Sequence, residues 1–242
     1  MELISEKIEK LKSFYSDIEV SLNIIEVDRS RTKTARITVG KQAMKRKTLE
    51  ICADNPENEY FILHELLHGY IEIVNPVYFK LNPNEDLKGN TQLWDGIYNQ
   101  MPTEILEKIH HQYIFKEMDE FQDEFKKYRE YFNTPEVQIT TEAMRTIGKS
   151  SSKPFKYLYS IYFMQLEDAI QRKHFEGTTY ELNYGVSLVD DAVAKTMDLL
   201  DDLDVMSKKS VICSIKGILG QINQLATSNK VYNLFKNSIT LL

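Results

Sequence analysis

Two of the five histidines in this 242-residue chain lie four residues apart, within the stretch YFILHELLHGYIEIV at 60–74. Glu65 directly follows the first of them, so His64 to His68 form the pattern H-E-x-x-H. Residues four apart face the same side of a helix, so both imidazoles can bind one metal ion. Glu65 lies about 100° further round the helix, outside the ligand set but close enough to take a proton from a water. The spacing therefore predicts a Zn²⁺ site with a built-in general base.

The competing interpretation is a pair of core histidines on an apolar helix. His64 and His68 share a helical stripe with apolar side chains, namely Phe61, Leu67, Ile71 and Val74. Chance alone produces H-E-x-x-H in about one in a hundred chains of this composition. Two imidazoles in apolar surroundings leave ring donors and acceptors that need partners, and a metal ion meets that need. We therefore favour zinc over a core pair.

The elements before the motif are expected to be one helix and three strands. Residues 2–15 have apolar side chains at helical spacing, and the runs at 18–27, 34–40 and 48–53 have the β-branched content and alternation of strands. The turn DNPENE at 54–59 then supplies an Asp or Asn as the N-cap of the motif helix. That helix is expected to end near Val74, because Asn75-Pro76 follows it.

Beyond the motif, the sequence predicts an irregular connection, a long helix and a helical second half. Asn, Pro and Gly recur over 75–102, which we interpret as a lid or a substrate-facing loop. An apolar stripe predicts one helix from about Thr103 to about Phe132. The stretch 145–155 is typical of a loop or linker. Mostly helical structure is expected after it, over about 155–173, 187–206, 208–227 and a short terminal segment.

The helix at 103–132 is the expected source of a third ligand, because a catalytic zinc usually has three protein ligands and an open position. With about 100° per residue, four side chains fall on the same side as its apolar residue Ile114: Glu107, His110, His111 and Glu117. Asp119 and Glu120 fall on the far side. The residue pattern leaves those four candidates open.

At this point the chain resembles the zincin metallopeptidases, because HELLH follows a helix and three strands. Over residues 1–132 it is similar to the small SprT-like and ImmA/IrrE-like domains. The metzincin continuation G-x-x-H is absent, since GYIEIV follows His68. The stretch HHQYI resembles a third-ligand stretch of some SprT-like proteins, in which the ligand lies three residues before a hydrophobic residue. That resemblance favours His111 as the third ligand, with His110, Glu117 and Glu107 as alternatives.

The fold class implied is α+β. A zincin-like metallopeptidase domain is expected over 1–134, composed of a helix, a small three-stranded sheet, the H-E-x-x-H helix and the long third-ligand helix. A mostly helical region over 135–242 follows, either as a separate part or within one continuous domain.

Composition narrows the setting in which such a protein works. A net charge of −6 argues against a protein that grips a nucleic-acid backbone. The N-terminus has no signal-peptide pattern, and no apolar run approaches the roughly 20 residues of a membrane span. Two cysteines make no disulfide framework, which favours a reducing, cytoplasmic setting.

Three functions are therefore weighed. The first is a zinc-dependent peptidase that cuts a peptide or protein substrate, with Glu65 as general base and a metal-activated water. The second, implied by the ImmA/IrrE-like resemblance, is a regulatory protease with one specific protein partner, which the helical second half would recognise. The third is a helical interaction protein with a degenerate or structural metal site. The oligomeric state is left open by the sequence.

Overall fold

A computed structural model of the protein describes residues 3–26, 47–53, 55–83, 91–132, 155–175, 186–228 and 235–241. The elements run in the order α1 (Ile4–Asp17), β1 (Val20–Glu26), β2 (Lys47–Ala53), α2 (Glu59–Val74), β3 (Phe79–Pro83), α3 (Thr91–Glu117), α4 (Gln122–Phe132), α5 (Phe155–His174), α6 (Ser187–Asp201), α7 (Lys208–Ser228) and β4 (Phe235–Leu241). The fold is thus α+β and mostly helical. The chain divides into two compact units, one of residues 1–74 and 117–130, the other of 75–116 and 131–242.

The first unit packs helices α1 and α2 on a short parallel pair of strands. β1 and β2 pair in register from Val20 opposite Lys47 to Glu26 opposite Ala53. The alternation in β2 buries its apolar side chains, namely Leu49, Ile51 and Ala53. The hydroxyl of Tyr15 in α1 donates a hydrogen bond of 2.5 Å to the Leu66 carbonyl in α2, which fixes the two helices together.

The second unit contains nearly all of α3, the helices α5, α6 and α7, which contact one another, and the strand pair β3–β4. The two strands are antiparallel, with Phe79 opposite Leu241 and Pro83 opposite Phe235. The Tyr162 hydroxyl of α5 lies 2.7 Å from the Thr196 hydroxyl of α6, so this buried pair satisfies its own polar atoms.

Several sequence-based predictions agree with this fold. The helix predicted over 2–15 is α1, and the strands predicted over 18–27 and 48–53 are β1 and β2. The Asn58 side chain accepts a hydrogen bond of 3.1 Å from the Phe61 backbone, as expected of an N-cap of α2. The predicted strand at 34–40 lies outside the described residues, and so does nearly all of the predicted loop at 145–155.

The irregular connection predicted over 75–102 is wrong in two places. Residues Phe79–Pro83 form β3, and α3 begins at Thr91 rather than at Thr103. The turn-forming residues that suggested a loop are tolerated because β3 has a partner strand far away in sequence and because α3 continues through Pro102. The short terminal segment expected to be helical is the other half of that pair, the strand β4.

The single helix predicted over 103–132 is also wrong, because α3 ends at Glu117 and α4 begins at Gln122. The Lys7 ammonium donates a hydrogen bond of 2.5 Å to the Glu117 carbonyl and lies 2.9 Å from the Glu120 carboxylate. The Gln122 side chain donates to the Asp119 carbonyl at 2.6 Å. These bonds occupy backbone carbonyls that a continuing helix would use for its own hydrogen bonds. The predicted apolar stripe is therefore divided between α3 and α4.

In the part of the chain that the structure describes, no helix is long and apolar enough to cross a bilayer.

Candidate metal centre

The helix α2, which carries the H-E-x-x-H motif, is buried along most of its length. Its Gly69 approaches its neighbours closely: a Cβ there would lie 2.8 Å from Leu49 Cδ2 and 2.8 Å from the Tyr15 hydroxyl oxygen. A residue with a Cβ fits here only if the Leu49 or Tyr15 side chain shifts, so the helix lies directly on β2 and α1. The histidine one residue earlier, His68, is thereby fixed in position along the helix axis.

The two motif histidines face each other at hydrogen-bond distance. The Nε2 atoms of His64 and His68 are 3.2 Å apart, and the ring planes make an angle of 69°. Two nitrogens bound to one tetrahedral ion at about 2.1 Å would be separated by about 3.4 Å. The donor atoms and their separation therefore fit a shared zinc ion, as the spacing in the sequence predicts.

Glu65, the expected general base, is 8% exposed and lies next to the buried His64. Burial strengthens hydrogen bonding by a carboxylate and excludes competing water. The spacing of the motif residues does not predict that Glu65 is buried.

His111, the favoured third ligand, lies on α3 and is 7% exposed. Its Nδ1 atom lies 2.7 Å from Oε2 of Glu167, a residue of α5. The Phe115 ring, one turn further along α3, lies 4.9 Å from the imidazole centroid. The ring is thus held at one nitrogen and along one side, and its second nitrogen, Nε2, is on the opposite edge.

Glu167 also pairs with a buried lysine of α3. The Lys108 ammonium lies 2.8 Å from the same Oε2 atom and 3.5 Å from the Glu107 carboxylate. Burial by itself would raise the pKa of Glu167, but His111 and Lys108 outweigh burial and hold that pKa well below its usual range. Burial likewise disfavours the charged Lys108, yet Glu167 and Glu107 raise its pKa overall. Both groups are therefore charged at neutral pH.

The alternative third ligands have other surroundings. Burial, with His111 beside it, lowers the pKa of His110 to about 3, so this imidazole is neutral at pH 7. The Glu107 carboxylate is in contact with Lys108. Glu117 is the last residue of α3, and its carbonyl oxygen accepts from Lys7.

The sequence-based reasoning did not identify Glu167, Lys108 or the neighbouring pair of Tyr159 and Glu104. The Tyr159 hydroxyl of α5 donates a short hydrogen bond to the Glu104 carboxylate of α3. One signal was available: Glu167 and Asp168 are the acidic residues of the mostly apolar run YLYSIYFMQLEDAI. A charged side chain in such a run is buried only with a partner, so it marks a polar contact or a site.

The type of ligand atom determines which metal ions the imidazoles can bind. Neutral imidazole nitrogens at this separation suit zinc, copper, iron or nickel rather than magnesium or calcium, which take oxygen ligands. Comparisons of the chain with protein-family models, with characterised proteins and with solved structures find no match. The chemistry of the side chains is therefore the basis on which a function can be argued.

Proposed function

We propose that His64, His68 and His111 bind one Zn²⁺ ion and that the protein hydrolyses peptide bonds with Glu65 as general base. The observation that carries the proposal is the pair of motif imidazoles on α2, since the Nε2 atoms of His64 and His68 lie 3.2 Å apart. One metal ion can bind both nitrogens at this separation. Three protein ligands also leave the fourth position of a tetrahedral zinc open, which is the arrangement of catalytic sites.

The chemistry divides between the ion and the chain. A zinc ion held by these imidazoles would supply a Lewis acid and make a water molecule more acidic. Glu65 then accepts the proton of the attacking water and passes it to the leaving amine of the substrate. His64 and His68 lie on a helix that the bond from Tyr15 to the Leu66 carbonyl joins to α1 and that Gly69 allows to approach β2 closely.

Zinc binding is tested by elemental analysis of protein purified without chelators. The expected result is one zinc per chain in the wild type and a loss of zinc in His64→Ala, His68→Ala and His111→Ala. Tyr70→Phe, on the same helix and outside the proposed ligand set, serves as the control and should keep its zinc. Wild-type protein that carries no stoichiometric zinc would contradict the proposal.

Catalysis is tested separately with Glu65→Gln. We expect this change to keep the zinc and to lower peptidase activity by about 10²–10⁴-fold, because it removes only the base. Glu59→Gln, at the exposed start of the same helix, should leave activity unchanged. Full activity in Glu65→Gln would rule out the assigned role, and zinc without any peptidase activity would favour a structural site.

The proposed substrate is a peptide or protein chain. A regulatory protease with one partner would leave general peptide libraries almost uncut while cleaving that partner at one bond. Comparing turnover of a mixed peptide library with cleavage in a lysate of the source cells, with Glu65→Gln as the inactive control, separates the two kinds of peptidase.

A further inference from the structure

A partly buried polar face joins α3 to α5. Four polar residues of α3 recur at helical spacing, namely Glu104, Glu107, Lys108 and His111. Helix α5 meets this face with Tyr159, which bonds Glu104, and with Glu167, which contacts His111. A buried ion pair adds little net stability compared with apolar packing, so stability alone does not account for this face.

The Glu167 carboxylate is held from three directions. Its Oε2 atom is 2.8 Å from the Lys108 ammonium and 2.7 Å from His111 Nδ1. Its Oε1 atom accepts a hydrogen bond of 2.9 Å from the Gln171 amide, one turn further along α5. A carboxylate with both oxygens engaged in this way is fixed in orientation, and so is any group bonded to it.

These contacts determine which nitrogen of His111 carries the proton. Lys108 offers only N–H donors, so the Oε2 atom that it contacts is an acceptor. The same oxygen lies 2.7 Å from His111 Nδ1, and a bond of that length requires the hydrogen to be on Nδ1. In the neutral ring Nε2 then has a lone pair, on the edge of the ring opposite Glu167.

We propose that Glu167, held by Lys108 and Gln171, is the positioning residue of the metal centre, fixing the tautomer and the direction of His111 so that Nε2 is presented to the ion. The inference rests on the proposed function, because it takes His111 as a ligand. It assigns to the helical second half of the chain a part in building the site. Carboxylates that accept from a ligating histidine raise the basicity of that ligand and restrict its rotation.

The test measures zinc affinity of the full-length chain by competition with a chromogenic chelator. Glu167→Gln should weaken zinc binding by about 10–100-fold, whereas Glu104→Gln should change it by less than about threefold. Glu104 is a matched control because it is a carboxylate of the same polar face that bonds Tyr159 rather than His111. Equal affinities in wild type and Glu167→Gln would overturn the inference.

Two further readouts separate positioning from a loss of folding. The visible absorption of Co²⁺-loaded protein should shift in Glu167→Gln and stay unchanged in Glu104→Gln, because only Glu167 is in contact with the proposed ligand His111. In metal-free wild type, nitrogen NMR of labelled histidine should show the proton of His111 on Nδ1. This measurement needs no variant, so it holds even if Glu167→Gln is unstable, and a proton on Nε2 would refute the inference.

The failure of this inference and the failure of the proposed function give different results. If His111→Ala loses zinc while Glu167→Gln binds it normally with an unchanged Co²⁺ spectrum, only the positioning role is wrong. If wild-type protein binds no zinc at all, both are wrong.

Discussion

Glu72 lies in the last turn of α2, one turn beyond His68, and shows how this helix constrains single residues. Burial raises the pKa of Glu72 to about 7, because the charged form is poorly solvated there. The same carboxylate is one of the groups that, after burial, raise the pKa of Tyr15. The end of the motif helix therefore carries an acidic group that is partly protonated at neutral pH.

Replacing Glu72 with Gln is expected to stabilise the protein in a pH-dependent way. Because the folded pKa exceeds the ordinary value of 4.5, the wild type loses stability as pH rises from about 4.5 to about 7 and then levels off. Glu72→Gln removes that loss, so it should gain about 1–3 kcal/mol over wild type at pH 8 and much less at pH 4.5. Urea unfolding of metal-free protein at both pH values measures the difference.

A pH-independent effect of Glu72→Gln would contradict this explanation. Glu59→Gln, at the exposed other end of α2, controls for the loss of one negative charge from the helix.

At the scale of elements, local signals predict the motif helix well and its partners poorly. The Asn58 cap and the Asn75-Pro76 stop define α2, and the alternation around Leu49 and Ile51 defines β2. The pairing of Phe79 with Leu241 joins residues far apart in sequence, so no local pattern contains it. Similarly, the contact of His111 with Glu167 spans 56 residues, so no local pattern predicts this partner of the proposed ligand.

The close approach at Gly69 gives an element-level prediction. Gly69→Ala would place a Cβ 2.8 Å from both Leu49 Cδ2 and the Tyr15 hydroxyl, and both side chains are almost fully buried. Overpacking costs about 1–3 kcal/mol, which outweighs the gain of about 1 kcal/mol from the better helix propensity of Ala. We expect a net loss of stability in thermal or urea unfolding, together with weaker zinc binding.

The matched control is Gly220→Ala in α7, where an added Cβ meets nothing within 4 Å. That variant should be neutral or slightly more stable, and a loss of stability equal to that of Gly69→Ala would show that crowding is not the cause.

At the scale of the whole molecule, the α+β class follows from the order of short strands and helices in the sequence. The number of strands and the place where α3 ends do not, because both depend on contacts such as that of Lys7 with Glu117. The compact units also mix distant segments, since residues 117–130 belong with 1–74. Composition alone does not predict that residues 117–130 belong to the same compact unit as residues 1–74.

Metal binding should stabilise the whole protein, because an ion bound only by the folded state shifts the folding equilibrium. At a free zinc concentration of 100 times the dissociation constant, the gain is about 2.7 kcal/mol. Calorimetry of the metal-free protein with and without added zinc should therefore show a higher melting temperature with the metal. The shift should vanish in His64→Ala, and an equal shift in that variant would indicate binding elsewhere.

In the proposed metal centre, one zinc ion is held by His64, His68 and His111. Anomalous diffraction at the zinc edge, from crystals of zinc-loaded protein, locates the ion and its ligands together. We expect one peak with three imidazole nitrogens at about 2.0–2.1 Å and a fourth position open to water. A fully occupied peak away from His64 and His68, or no peak there at saturating zinc, would contradict it.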